Sequence, residues 1–123
     1  KMKVNLPEQF VEELNQNENI KIIEPAGFLD ILALEKNAKM IITDSGGLQK
    51  EAFFMECPCV ILREQTEWVE IVNNGNAILT GSDQEKIEEA ASSLLKKSDF
   101  TYPKFYGDGE AAEYICEQIV KYI

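Results

Sequence analysis

An α/β fold built on a mainly parallel sheet is what this chain predicts, and three features predict it. Short apolar runs alternate with longer segments of helical periodicity, the pattern of successive βα units. One apolar run, residues 40–42, stops at two small polar residues and two glycines and passes at once into a helical segment. The 123 residues are 45% hydrophobic and 28% charged, which suits one globular domain with a real core. No internal repeat, low-complexity tract or linker divides them.

Each element has its own signal. Pro7 opens a helix with Phe10, Val11 and Leu14 on one face, because the N–H groups of a first turn are unpaired in any case. Residues 20–23 predict a short strand closed by Glu24-Pro25-Ala26-Gly27. Residues 28–37 predict a helix through Phe28, Ile31, Leu32 and Leu34, and residues 40–42 a second strand. A helix over residues 47–55 follows, then a third strand over 59–62 entered by Pro58. Residues 68–73 predict a short helix ended near Asn74-Gly75, and 77–79 a fourth strand. Ser82-Asp83-Gln84-Glu85 matches a capping box, with Ser82 as the cap of a helix bearing Ile87, Ala90, Ala91, Leu94 and Leu95 on one face. A polar and aromatic loop over 98–106 leads to the turn Gly107-Asp108-Gly109. The last helix carries Ala112, Ile115, Cys116, Ile119, Val120 and Ile123 at helical spacing.

The stretch from Ile41 to Glu51 is the chemically informative one. In an open parallel sheet, ligands bind beyond the carboxyl ends of the strands, and Asp44-Ser45-Gly46-Gly47 lies at such an end. A helix starting there presents unpaired N–H groups and the positive end of its dipole, which suits phosphate. Glu51 follows Gly47 by four residues, on the same helix face one turn down. A carboxylate there is a poor phosphate ligand but a good acceptor for sugar hydroxyls. Together the two features point to a nucleotide, with phosphates on the backbone and ribose on the acid.

Other classes are disfavoured. A net charge of −10 argues against nucleic-acid binding, since a phosphate backbone is met by an excess of Lys and Arg. No run approaches the ~20 apolar residues of a membrane span, and residues 1–6 lack the apolar core of a signal peptide. Three cysteines, an odd number, point to a reducing compartment and a cytoplasmic protein. Cys57-Pro58-Cys59 has the wrong spacing for a metal or redox C-x-x-C site, so the thiols read as buried or half-buried side chains, with no metal and no cofactor. The chain has no His, which excludes Ser-His and Cys-His catalytic pairs within it.

These residues meet a family in the order T-D-S-G-G-x-Q-x-E over 43–51, Pro58 with an apolar strand ending at Leu62-Arg63, Thr66-Glu67-x-x-Glu70, Gly75 and Gly81, then Tyr106-Gly107-Asp108-Gly109 with Ala111-Ala112. From about Ile20 to the C-terminus the chain closely resembles the C-terminal domain of the non-hydrolysing UDP-N-acetylglucosamine 2-epimerases, enzymes of cell-surface polysaccharide biosynthesis. That resemblance implies a Rossmann-like three-layer sheet of about four strands, part of the C-terminal half of a GT-B fold, with the active site in the cleft between two domains. It implies UDP or a UDP-sugar as ligand and a homodimeric parent. Ser45, Gly46 and Gly47 would hold the diphosphate, Glu51 the ribose hydroxyls, and Ile31 would fall near the uracil pocket. Arg63, Thr66 and Glu67 would border the cleft on the sugar side. The family inverts C2 by eliminating UDP to give a glycal and adding it back. Its acid and base residues lie mainly in the N-terminal domain, so no catalytic residue is expected here.

Two departures from the family pattern stand out. Many members carry Thr-Glu-Arg-Pro-Glu where this chain has Thr66-Glu67-Trp68-Val69-Glu70. The lost positive charge points either to a different UDP-sugar, such as a diacetamido uronate, or to a different loop packing. The family's C-terminal domain also begins earlier, with His-bearing βα units whose strands would lie mid-sheet, between residues 20–23 and 40–42. The expectation is therefore a partial C-terminal UDP-binding domain over 1–123, inactive by itself and weak for UDP. The alternatives are a GT-B glycosyltransferase or hydrolysing relative, and a non-catalytic α/β binding module.

Overall fold

The computed structural model describes residues 7–107 and 109–122. Residues 1–6, Asp108 of the expected glycine-flanked turn, and Ile123 of the last helix lie outside the described residues. The chain forms two compact units, residues 1–31 and 32–123.

The first unit holds α1 (Glu8–Gln16) and the start of α2 (Phe28–Asn37). Pro7 takes the N-cap, and its carbonyl accepts from the N–H groups of Phe10 and Val11. The strand expected over residues 20–23 is absent: residues 20–27 form no regular element, and Ile20, Ile22 and Ile23 are exposed. A strand exists through its ladder, and this apolar run has no partner strand among the described residues. Among the described residues the sheet accordingly has three strands rather than four. Helix α2 has the expected bounds but not the expected burial. Phe28 and Leu34 are exposed, and its buried residue is Glu35.

The second unit is built on a parallel sheet in the order β1 (Ile41–Thr43), β2 (Cys59–Ile61), β3 (Ala77–Leu79). Ile41 pairs with Cys59, which pairs with Ala77, and the register continues to Thr43, Ile61 and Leu79. All three residues of β2 are buried, as a central strand covered on both faces requires. Its side chains alternate between two cores. Cys59 and Ile61 join Ala52, Phe53, Ile71 and Ala77 under α3 (Gly46–Phe54) and α4 (Val69–Asn73). Val60 joins Ala90 and Leu94 of α5 (Gln84–Lys96) on the other face. Helices thus cover both faces of the sheet, the three-layer α/β arrangement.

Cap chemistry corrects one expectation. Asp83, not Ser82, caps α5, its carboxylate accepting from Lys86 N at 3.0 Å. The helix starts one residue later than the motif implies, which puts Lys86 rather than Glu85 at the third position, so no reciprocal box can close. Gly75, at φ +83°, ends α4 in the left-handed conformation, which glycine adopts without strain.

The last helix, α6 (Ala111–Lys121), leaves Tyr114, Ile115, Ile119 and Val120 exposed. Cys116 is exposed on it, whereas Cys57 and Cys59 are buried, as the reading of Cys57-Pro58-Cys59 expects. Burial pushes both buried thiols up, Cys59 to about 12. Brief treatment of the native protein with iodoacetamide near pH 8 is therefore expected to modify Cys116 alone, with Cys57 and Cys59 reacting only after denaturation, as read by peptide mass spectrometry. Among the described residues, no helix is long and apolar enough to cross a membrane.

Candidate functional site

The glycine turn sits where β1 hands over to α3. Thr43 Oγ1 accepts from Ser45 N at 3.0 Å, which fixes the exit from the strand. Ser45 is the N-cap, in extended conformation. Its Oγ accepts from Leu48 N at 3.4 Å and its carbonyl from Gln49 N at 3.2 Å. The N–H groups of Gly46 and Gly47 have no acceptor among the described residues. They lie at the positive end of a nine-residue helix, an arrangement that receives an anion. Space for one is present at Gly47, which is exposed and where an added Cβ would meet only Ser45 Oγ, at 3.9 Å.

The loop after β2 is tied against this turn. Trp68 Nε1 donates to Gly46 O at 2.8 Å, and Thr66 Oγ1 donates to Gln49 Oε1 at 2.6 Å while accepting from Trp68 N at 3.1 Å. Arg63 donates through both terminal nitrogens to Glu67, at 3.2 and 3.1 Å. Those bonds hold the exposed Glu67 carboxyl below the usual carboxylate range. Glu67 Oε2 would stand 3.6 Å from a Cβ on Gly46, so the pair borders the turn. Behind it, the Lys50 ammonium lies 4.7 Å from the ring centres of both Trp68 and Tyr106, a cation–π clamp one helical turn below Gly46. Tyr106 packs edge-on against Trp68 and donates to Glu70 Oε2 at 3.3 Å. Burial, with Glu70 beside it, pushes the phenol up to about 12.

A family model described as UDP-N-acetylglucosamine 2-epimerase matches residues 3–120. The chain belongs to that family. It is 48% identical over 106 residues to a UDP-N-acetylglucosamine 2-epimerase homolog of Methanococcus maripaludis, covering 86% of this chain and 29% of the relative. Over 111 residues it is 40% identical to the UDP-2,3-diacetamido-2,3-dideoxy-D-glucuronate 2-epimerase of Pseudomonas aeruginosa, covering 90% of this chain and 31% of that enzyme. The crystal structure of Methanocaldococcus jannaschii UDP-GlcNAc 2-epimerase in complex with UDP-GlcNAc and UDP superposes with a TM-score of 0.76 at 42% identity, over 94% of this chain and 31% of that one. The chain thus spans just under a third of the length of these relatives. Its sheet is the Rossmann-like layer of the GT-B fold that the 2-epimerases share, with three strands.

Of the positions that the 2-epimerase resemblance singles out, the structure brings Ser45, Gly46, Gly47, Arg63, Thr66 and Glu67 together at the carboxyl end of the sheet. Glu51 lies on α3 one turn below Gly47, half-buried. Ile31 lies on α2 within the first unit, while the groups around the turn all belong to the second. Three contributors are new. Trp68 and Lys50 clamp the loop to α3, and the Trp68 indole binds the turn itself. Glu35 is buried with neither carboxyl oxygen hydrogen-bonded among the described residues, and it faces Glu51. In the sequence it shares the spacing of one helix face with Phe28, Ile31 and Leu32, which gives its position but not its role.

Proposed function

We propose that this chain is the UDP-binding part of the C-terminal domain of a UDP-sugar 2-epimerase, holding the nucleotide that leaves and returns while C2 of the sugar is inverted. The observation that carries this is the pair of unpaired N–H groups on Gly46 and Gly47 at the start of α3. A diphosphate set on them would be met by oriented backbone donors rather than by cationic side chains, so a chain of net charge −10 can bind it. Ser45 edges the same cradle, and Glu51 offers its carboxylate to the ribose hydroxyls one turn away. Arg63, Thr66 and Glu67 line the sugar side. The sugar is N-acetylglucosamine on this reading, in keeping with the solved relative that holds UDP-GlcNAc. The P. aeruginosa relative favours a second reading, a diacetamido uronate, to be separated by which UDP-sugar is epimerised.

No acid or base for the sugar carbon is assigned within this chain, and the chain alone is expected to turn over no UDP-sugar. The working enzyme is a cytoplasmic homodimer on this reading, needing neither metal nor cofactor. Changing Glu51 to Ala in the intact protein is expected to weaken UDP roughly 10- to 100-fold, the range for lost hydrogen bonds to a charged acceptor, with the fold retained. Isothermal titration calorimetry reads the first and a thermal melt the second. Unchanged UDP affinity would turn the reading toward a binding module for another anion.

A further inference from the structure

Glu35 occupies a position on α2 where the helical pattern calls for an apolar side chain. It is 4% exposed, and neither carboxyl oxygen finds a hydrogen-bond donor among the described residues. A buried, ionised carboxylate with no donor costs several kcal/mol, so the group is retained here only in its neutral form or against a partner that needs a proton. That partner is Glu51 of α3, whose carboxylate faces it. The other titratable groups that face it are the thiols of Cys57 and Cys59, the first just ahead of β2 and the second in it. Both thiols are buried and neutral, and Cys57 Sγ already donates to Ala38 O at 3.4 Å. Glu51 is therefore the acceptor left for a Glu35 proton.

We propose that the buried Glu35 carboxyl donates its O–H to the Glu51 carboxylate and so acts as a positioning residue that orients Glu51 toward the ribose diol. This rests on the assignment of Glu51 to the ribose. The shared proton spares the site two facing charges. It also takes up one acceptor position of Glu51 from behind and leaves the outward ones for the ligand. Burial first, and Glu51 second, raise Glu35 above its ordinary value of 4.5. The sign for stability follows: the folded state holds this proton more tightly than the unfolded one. The contribution of Glu35 is therefore complete below pH 4.5 and is lost as pH rises through the raised value.

The test compares UDP with 2′,3′-dideoxy-UDP on the intact protein by calorimetry, because the ratio of their affinities isolates the diol and cancels the phosphates. In the wild type, UDP is expected to bind roughly 10- to 100-fold tighter, and this ratio shrinks as pH rises and Glu35 ionises. Glu35→Gln keeps a donor but cannot titrate. It is expected to hold the ratio near the wild-type value at pH 6, to keep it flat to pH 9, and to melt above the wild type on the alkaline side. Glu35→Leu, which fills the space and removes the donor, is expected to bring the ratio below about threefold. A folded Glu35→Leu protein with the full ratio would overturn the proposal. Where that variant does not fold, a Glu35→Gln pH profile parallel to the wild type's overturns it instead. A wild-type ratio near one, with UDP still bound, would remove the ribose assignment of Glu51 itself, and the proposal with it.

Discussion

Replacing Gly47 with Asp is expected to abolish measurable UDP binding while leaving the protein as stable as before, or slightly more so. The position allows the side chain, since an added Cβ meets nothing closer than Ser45 Oγ at 3.9 Å. Helix energetics favour it, because glycine in a helix costs up to about 1 kcal/mol against ordinary residues and an acid in the first turn gains about 0.3–1 kcal/mol from the dipole. The same carboxylate occupies the space where an anion would meet the N–H groups of Gly46 and Gly47, and like charges at ~4 Å repel by several kcal/mol near a protein surface. A drop in UDP affinity of at least about 100-fold follows. Calorimetry and a thermal melt on the same samples separate the two effects. Retained affinity would place the phosphates elsewhere, and a lost melting transition would mean that Gly47 serves the fold.

Ile61→Ala should have the largest effect on stability, a loss of about 2–5 kcal/mol. Ile61 is 0% exposed, on the central strand, in one core with Ala52, Phe53, Ile71 and Ala77. Short strands and backbone paired on both sides leave the cavity little freedom to collapse, so the upper half of that range applies. Ile42, 48% exposed on β1, is the matched control and should cost under about 1 kcal/mol when changed to Ala. Urea unfolding at constant m-value reads both. An Ile61→Ala loss no larger than that of Ile42→Ala would contradict the layer assignment.

How much of this was legible in the sequence depends on what each element needs from elsewhere. Residues 59–61 announce themselves because a strand buried on both faces must be apolar throughout, and the apolar run at 77–79 pairs beside it. Residues 20–23 are just as apolar and form no strand, because nothing in a local run tells whether a partner strand lies beside it. The Ser82 and Asp83 caps are near-equal competitors one residue apart, a choice that local pattern cannot make. At the site, the turn at residues 44–47 and the helical offset of Glu51 were readable because both depend on backbone geometry alone. The Trp68 bond to Gly46 spans 22 residues and the Lys50 clamp reaches to Tyr106, long-range contacts with no local signature. Glu35 was hidden for a different reason. An acid on an apolar helix face reads as an interruption of the pattern until its neighbour is known to be another acid.

The strand that carries the candidate cradle is supported by the sheet on one side only. β1 pairs with β2 on one side, and no described strand lies on its other edge. A three-residue ladder on one side opens at low free energy unless other elements hold it. The stiffness of the turn is therefore borrowed sideways, from α3 packed on β1 and from the indole and hydroxyl bonds of the loop over residues 63–68. Amide exchange at the turn should accordingly track the integrity of that loop more closely than that of the sheet core, so the cradle behaves as a hinged shelf braced by its neighbours rather than as an extension of a rigid floor.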